Sequence, residues 1–140
     1  DEIVIESNLI DALSYLILSS TIYTKKYNNI FEDRKIVKNT YEFINDSIDT
    51  NFTLEALALN VNLSKFHFLR LFKKDFGLTP HAFIINERLN RANNLIQNGY
   101  SISQASIQVG FNDQSHFSRN FKKYFGYTPS YLQKNSNIIL

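Results

Sequence analysis

The fold of this chain is decided by the stretch Phe68–Pro80, FLRLFKKDFGLTP, which returns 49 residues later as Phe117–Pro129, FSRNFKKYFGYTP. Upstream of these stretches the copies pair at a spacing of 48, as Val61 does with Val109, so the second copy has one extra residue in its connecting turn. Similarity at a fixed period is the signature of repeated structural units. The sequence therefore predicts two equivalent units in tandem.

Each unit is predicted to be a short helix, a tight turn and a second helix. In the first unit Thr53 can cap the short helix, Asn62 tolerates the left-handed conformation of a tight turn, and Ser64 can cap the next helix. In the second unit Ser101–Gln104 forms a capping box, and Gly110 occupies the position that matches Asn62. Different residues are thus expected to form the same turn.

The second helix of each unit has two faces. One face follows the i, i+3/i+4, i+7/i+8 spacing of a buried apolar stripe, and we expect it to line a core. The core-facing residues are Phe68, Leu71, Phe72 and Phe76 in the first unit, and Phe117, Phe121, Tyr124 and Phe125 in the second. The opposite face carries Phe66, Leu69, Arg70 and Lys73 in the first unit, and Ser115, Ser118, Arg119 and Lys122 in the second.

A glycine, Gly77 or Gly126, is expected to end each second helix. A threonine–proline pair follows both glycines, which predicts an N-cap and the first residue of a further helix. After Pro80 that helix can run to about Asn98, where it would join the two units. The sequence predicts an all-α fold.

Composition excludes several classes of site. The 140 residues include no cysteine, which removes disulfides, thiolate nucleophiles and zinc–thiolate centres, and the four glycines are too far apart to form a phosphate-binding loop. Residues 1–60 hold ten acids and five bases, whereas residues 61–140 hold three acids and ten bases. A basic segment beside an acidic one favours two interpretations: the second part binds a polyanion, or its charges form a solvated basic face.

The N-terminal part is predicted to be separate from the repeat. An amphipathic helix is expected over residues 35–48, beside the first unit, and another over residues 8–27. In the second of these helices Leu9, Leu13, Leu16 or Ile17, Ser20 and Tyr23 lie near heptad spacing. Residues 28–35 are expected to connect them. We expect residues 1–30 to form a helix and connector that pack on a second copy of the chain or on a missing N-terminal domain, which makes a homodimer one of two alternatives.

The polar faces of the two second helices predict base readout and phosphate contacts. Arg70 and Arg119 can each grip guanine O6 and N7 with two hydrogen bonds. Gln114, Ser115 and Ser118 suit adenine or mixed base edges, and Phe66 and Leu69 offer apolar contact to a thymine methyl. The alternative for Phe66 and Leu69 is a hydrophobic core contact. The residues expected to meet phosphates are Lys65, Lys73 and Lys122.

Residues from about Lys35 to Gln133 resemble the DNA-binding domain of the AraC/XylS transcription regulators. The resemblance is carried by Ser64–Pro80 and, more specifically, by Val109–Pro129 with its Phe-Gly-x-Thr-Pro ending. It implies seven helices, with helix-turn-helix units at about 53–76 and 101–125 of a domain spanning 31–140, and a long linker helix between them. The extra N-terminal helix would precede this domain.

The resemblance also implies a function. It implies a cytoplasmic bacterial regulator, usually an activator, that enters two successive major grooves of promoter DNA and acts on RNA polymerase. Two departures from the family pattern stand out: Ser106 replaces the usual alanine, so its hydroxyl must find a backbone partner, and Leu69 replaces a polar base-reading residue.

Other functions are weighed against this one. A helical protein-interaction module that does not bind DNA is the main alternative, while an enzyme is disfavoured because no acid, base and nucleophile come together in a recognisable pattern. His67 and His116 are expected to pack or to contact phosphate rather than to bind a metal, and no cofactor is expected. Arg88 and Arg91 are expected to contact the DNA backbone or to form surface ion pairs such as Glu87 with Arg91.

Overall fold

The structure, a computed structural model, describes residues 2–136, and within that range the side chains of residues 2–9, 27 and 31 are not described. All regular secondary structure in residues 2–136 is helical, in agreement with the predicted fold class. The seven helices are α1 (Glu2–Asp46), α2 (Leu54–Asn60), α3 (Lys65–Phe76), α4 (Pro80–Gln97), α5 (Ile102–Gln108), α6 (Gln114–Phe125) and α7 (Pro129–Ser136).

The chain divides into two compact units, residues 1–38 and residues 39–140. Helix α1 is continuous over 45 residues, so the predicted connector at residues 28–35 is wrong as a break in the helix. The physical reason is that this segment holds no glycine or proline, while its Glu32, Arg34 and Lys35 favour helix. The extra N-terminal helix and the helix predicted at residues 35–48 therefore form one element.

In residues 10–30 the described apolar side chains are solvent-exposed. Leu13, Leu16 and Tyr23 of the predicted heptad stripe are all at least half exposed, whereas the side chain of Leu9 lies outside the described residues. Ile17, the alternative to Leu16 on that stripe, is also exposed, as are Ile10 and Ile22, which lie off it. The apolar surface of this segment is therefore spread around the helix rather than confined to one heptad stripe.

Local capping signals define the helices of residues 39–140 as predicted. The Thr53 hydroxyl accepts a hydrogen bond from the Ala56 amide at 3.1 Å, and the Ser64 hydroxyl accepts one from the His67 amide at 3.2 Å. Ser101 and Gln104 form the reciprocal capping box, with both bonds present. The sequence identified these boundaries because an N-cap satisfies backbone amides within its own first turn.

Two apolar cores hold residues 39–140 together. The first is built from the end of α1 and from α2, α3 and the start of α4 (Ile44, Ile48, Leu57, Ala58, Phe68, Phe72, Phe83, Ile84). The second is built from the rest of α4 and from α5 and α6 (Leu89, Ala92, Ile96, Ala105, Val109, Phe111, Phe117, Phe121). The linker helix α4 is therefore shared, with its first half in one core and its second half in the other.

The predicted core-facing residues of α3 and α6 are placed correctly with one exception. Tyr124 is 44% exposed, so the prediction that it faces the core is wrong. Its ring packs edge-on against Phe125, and its hydroxyl accepts a hydrogen bond from the Asn90 side-chain amide at 3.3 Å. A tyrosine can cover apolar surface with its ring while it keeps its hydroxyl in a polar environment, which periodicity alone does not reveal.

Candidate nucleic-acid interface

Helix α3 presents a basic and aromatic face because its other face is fixed in the first core. Phe68, Leu71 and Phe72 are buried, which turns the intervening side chains outward. Phe66 is 78% exposed, and Arg70 and Lys73 are exposed as well. A phenyl ring this exposed beside a guanidinium group is available for contact with a partner molecule.

Leu69 lies at the border of that face. It is half-buried and lines a small apolar pocket together with Leu54, Leu57 and Pro80. The part of Leu69 that remains exposed is free for an external contact, while the rest packs at the edge of the first core. Base readout by Leu69 stays a prediction.

Lys65, predicted to contact phosphate, forms an ion pair in the free chain. Its ammonium group lies 2.8 Å from a carboxylate oxygen of Glu55 on α2. This hydrogen bond, with the attraction of the Lys65 charge, lowers the pKa of Glu55 below its usual value. The Lys65 ammonium must leave Glu55, or share it, before it can bind a phosphate.

Helix α6 begins at a cap that the sequence reasoning did not single out. The Asp113 carboxylate accepts hydrogen bonds from the amides of Ser115 at 2.9 Å and His116 at 3.2 Å. An aspartate directly before a helix is the signal that identifies this cap. The cap fixes the start of α6, from which Gln114 and Ser115 project.

The outward face of α6 holds the second set of predicted residues. Phe117 and Phe121 are fully buried, so the helix is anchored by its aromatic face. On the other side the structure brings together five predicted residues, of which all but the half-buried Ser118 are exposed (Gln114, Ser115, Ser118, Arg119, Lys122). Arg119 therefore lies among side chains that can both donate and accept hydrogen bonds.

The two histidines of the repeat occupy different surroundings. The His116 ring lies 5.8 Å from the Phe111 ring, measured between centroids, so it packs on the edge of the second core. His67 is exposed on α3. Among the residues whose side chains are described, no three histidine, aspartate or glutamate residues are grouped to hold a metal ion.

Arg88 has a position that the sequence reasoning missed. It is 7% exposed, and its guanidinium group donates hydrogen bonds to three backbone carbonyls: Ile48 at 2.8 Å, Thr50 at 2.7 Å and Gly110 at 3.0 Å. Burial lowers the pKa of Arg88, and the nearby charge of Asp49 opposes that effect. The expectation of a surface role for Arg88 is wrong because its acceptors come from distant parts of the chain.

Arg91 also differs from expectation. Its guanidinium group donates to the Asn45 backbone carbonyl at 2.7 Å and to the Asn45 side-chain oxygen at 2.9 Å, both near the end of α1. Within the described part of the chain no ion pair joins Arg91 to Glu87. Both linker arginines therefore face protein, and the exposed cations nearest the predicted readout residues belong to α3 and α6.

Two further predictions about individual residues are confirmed. Asn62 has a positive φ of 56°, the left-handed turn expected at its position in the first unit. Ser106 is buried, and its hydroxyl donates to the Ser103 carbonyl at 2.9 Å, so the hydroxyl finds the backbone partner it requires. The packed helix of the second unit thus accommodates serine.

The outward faces of α3 and α6 can together bind an extended anion and form hydrogen bonds with the edges of flat polar groups. The aromatic and hydroxyl side chains lie beside arginines that can reach beyond the protein surface. None of the described helices is long and apolar enough to cross a membrane.

Comparison with known proteins matches this arrangement. Residues 57–135 match the family described as Helix-turn-helix domain. The chain is 39% identical over 80 residues to the HTH-type transcriptional regulator YbfI of Bacillus subtilis, covering 57% of this chain and 29% of that protein. It is 32% identical over 115 residues to the lactose operon transcription activator of Staphylococcus xylosus, covering 76% of this chain and 41% of that protein. The chain thus spans less than half the length of both relatives.

A solved structure shares the fold. The transcriptional regulator of Chromobacterium violaceum described as having an AraC-type DNA-binding domain superposes with a TM-score of 0.68 at 27% identity, covering 74% of this chain and 93% of that one. The matched share, 74% of the chain, is about the length of the unit formed by residues 39–140.

Proposed function

The chain belongs to the family of AraC-type helix-turn-helix domains, and on that premise we propose that it regulates transcription by binding double-stranded DNA in a sequence-specific way. The observation that carries the proposal is the equivalent placement of Arg70 and Arg119. Both are exposed, both lie on the second helix of a helix-turn-helix unit, and both stand opposite a buried aromatic stripe. Helices α3 and α6 would act as recognition helices in two successive major grooves.

Base readout is assigned to the outward side chains of the two recognition helices. Arg70 and Arg119 would bind guanine edges, because a guanidinium group matches O6 and N7 with two hydrogen bonds. Gln114, Ser115 and Ser118 would bind adenine or mixed edges. Phe66 and the exposed part of Leu69 would contact thymine methyl groups, which makes readout by α3 more apolar than readout by α6.

Phosphate contacts are assigned to Lys65, Lys73 and Lys122. A lysine ammonium is a compact charge that satisfies a phosphate oxygen without reading the base sequence. Lys73 and Lys122 are equivalent in the repeat and are both exposed. They would fix the register of the two recognition helices in the same way, one in each groove.

We further propose activation as the regulatory outcome, with RNA polymerase as the protein partner and the bacterial cytoplasm, on nucleoid DNA, as the site of action. The support is the name of the Staphylococcus xylosus relative, a lactose operon transcription activator. The role proposed for this chain is binding rather than catalysis.

A selection from randomised duplexes, followed by titration at several salt concentrations, tests the proposed function. We expect one preferred sequence, and we expect log K for it to fall with log salt with a slope of about −3 or steeper, since each phosphate contact contributes about −0.9. A random duplex serves as the control and should bind more weakly at every salt concentration. Equal affinity for both duplexes, or a flat salt response, would contradict the proposal.

The alternative of a protein-interaction surface is favoured by one feature, the exposed apolar side chains of α1 such as Leu13, Leu16 and Ile17. Helices with this much exposed apolar surface tend to associate. Sedimentation of the chain with and without residues 1–38 distinguishes the alternatives for this segment. A dimer that is lost on deletion supports a homodimer through residues 8–27, whereas a monomer in both cases favours packing on another domain.

A further inference from the structure

Helix α4 is the only described element that contributes buried apolar side chains to both cores. Phe83 and Ile84 belong to the first core, whereas Leu89, Ala92 and Ile96 belong to the second. Because a single helix joins two separately packed cores, the relative orientation of the cores also depends on other contacts between them. The question is therefore which contacts of α4 tie the two helix-turn-helix units to each other.

Arg88 stands on α4 at the boundary between the two sets of core residues. Two of its three acceptors, the carbonyls of Ile48 and Thr50, lie in the segment that leads from α1 into the first helix-turn-helix unit. The third, the carbonyl of Gly110, lies in the turn between α5 and α6 of the second unit. One guanidinium group thus joins the second unit, by direct hydrogen bonds, to the segment that leads into the first unit.

The surroundings of Arg88 leave little freedom for this connection to shift. Its guanidinium carbon lies 6.0 Å from the centre of the Phe111 ring. A β-carbon built on Gly110 would lie 2.7 Å from the Asp49 carbonyl oxygen and 3.0 Å from the guanidinium carbon of Arg88. The turn of the second unit therefore approaches the segment before α2 so closely that only glycine fits between the backbone of that segment and Arg88.

The three bonds depend on the shape of a guanidinium group. Its planar fork directs its donors along fixed and separate directions, whereas a lysine ammonium is a single point on a flexible stem. A lysine at this position could reach one or two of the carbonyls but could not hold all three. Arg88→Lys keeps the positive charge and changes the geometry of the hydrogen bonds. The substitution therefore tests the geometry separately from the charge.

We propose that Arg88 is a positioning residue that sets the orientation of α6 relative to α3, so that both recognition helices can enter successive major grooves at once. This inference rests on the proposed function. When one recognition helix is bound in its groove, the other helix encounters the second groove at an effective concentration that depends on the geometry of the link between the units. A looser link lowers that effective concentration and leaves the affinity of each unit for its own groove unchanged.

The test compares the intact selected duplex with two truncated duplexes, each of which keeps only one of the two grooves and is extended with random sequence. For Arg88→Lys we expect a loss of about tenfold or more on the intact duplex and a change within about twofold on the truncated ones. Arg91→Lys is the matched control, because among the described residues the hydrogen bonds of Arg91 go to Asn45 and none goes to a backbone carbonyl of the second unit. Arg91→Lys should leave the ratio of the affinities for the intact and truncated duplexes at its wild-type value.

A spacing series on the wild-type chain supplies a test that does not depend on the variant being folded. Insertion of 2 or 3 base pairs between the two grooves should reduce wild-type affinity to that of a truncated duplex, because a fixed link cannot follow the added rotation and length. Arg88→Lys, if folded by circular dichroism, should tolerate the insertions better than the wild type.

Two results would overturn this inference while leaving the proposed function intact. One is a wild-type chain that tolerates the insertions without loss, and the other is an equal loss for Arg88→Lys on intact and truncated duplexes, which would indicate a general loss of structure. A wild-type chain with no preference for the selected duplex over a random one would instead overturn the proposed function, and this inference with it.

Discussion

At the scale of the residue, the two recognition helices differ in what surrounds their equivalent arginines. Arg70 has Phe66 and the half-buried Leu69 as neighbours on its face, whereas Arg119 has Ser115 and Ser118. Polar neighbours allow more hydrogen bonds to base edges than apolar ones do. We therefore expect α6 to contribute more to sequence specificity than α3.

A pair of substitutions on α6 distinguishes base readout from phosphate contact. Arg119→Ala should cost about 1 to 3 kcal/mol of binding free energy on the selected duplex and relax the preference at one base pair. Lys122→Ala should weaken binding to all duplexes about equally and reduce the salt slope by about 0.9. Binding isotherms on selected and random duplexes measure both. An equal loss on the two duplexes for Arg119→Ala would show that Arg119 contacts only phosphate.

The ion pair between Lys65 and Glu55 gives a prediction about charge. Glu55→Gln removes the carboxylate that holds the Lys65 ammonium, so DNA affinity should rise, by less than about tenfold, and the salt slope should steepen by up to about 0.9. Asp46→Asn is the matched control, since it removes one exposed acid that does not pair with Lys65. Equal effects of the two substitutions would mean that only net charge matters.

The same pair has a defined pH dependence. Because the folded chain lowers the pKa of Glu55, the pair's contribution to folding is present above the unfolded pKa and is lost as the pH falls through the lower, folded value. The gain in DNA affinity from Glu55→Gln should accordingly shrink as the pH falls below that range, since protonation of Glu55 also releases Lys65. Titration of DNA binding in acidic buffers measures this convergence.

At the scale of the element, the sequence located the boundaries that depend on local chemistry. Thr53, Ser64 and Ser101 cap helices as predicted, and Gly77 and Gly126 end α3 and α6 in the left-handed conformation. These features are encoded within four or five neighbouring residues. The repeat itself could be predicted for the same reason, because each unit reproduces its own caps and apolar stripe.

Features that depend on distant segments were not predicted. Arg88 lies 38 residues or more along the chain from two of its acceptors, so no window of sequence reveals that it is buried. The continuity of α1 was missed because Asn28 and Asn29 suggested a break that the neighbouring helix formers override. For the candidate site, most residues predicted to face outward are exposed, whereas Leu69 and Ser118 are half-buried. The sequence could not reveal the pairing of Lys65 with Glu55.

Gly110 tests how tightly the turn of the second unit is packed. Gly110→Ala should destabilise the chain by about 1 to 2 kcal/mol for the positive φ and by about 1 to 3 kcal/mol more for the contact with Asp49. Gly126→Ala is the control, because Gly126 has a similar φ of 83° but no atom within 4 Å of an added β-carbon. Denaturant unfolding compares the two. Equal losses would contradict the close approach at Gly110.

At the scale of the whole molecule, we propose that residues 39–140 bring two recognition helices to one duplex. Each helix is fixed by its own core, the cores share α4, and Arg88 bonds to the second unit and to the segment that leads into the first. Residues 1–38 form a separate unit whose exposed apolar side chains are suited to association. We therefore expect DNA binding and association to be carried by different parts of the chain.

The central claim is that α3 and α6 occupy successive major grooves of the same duplex. Hydroxyl-radical footprinting on the selected duplex tests it most directly, with the wild-type chain and the variants Arg70→Ala and Arg119→Ala side by side. We predict two protected patches on one face of the duplex, about 10 base pairs apart, and weakened protection of a different patch in each variant. A single patch, or loss of the same patch in both variants, would contradict the claim.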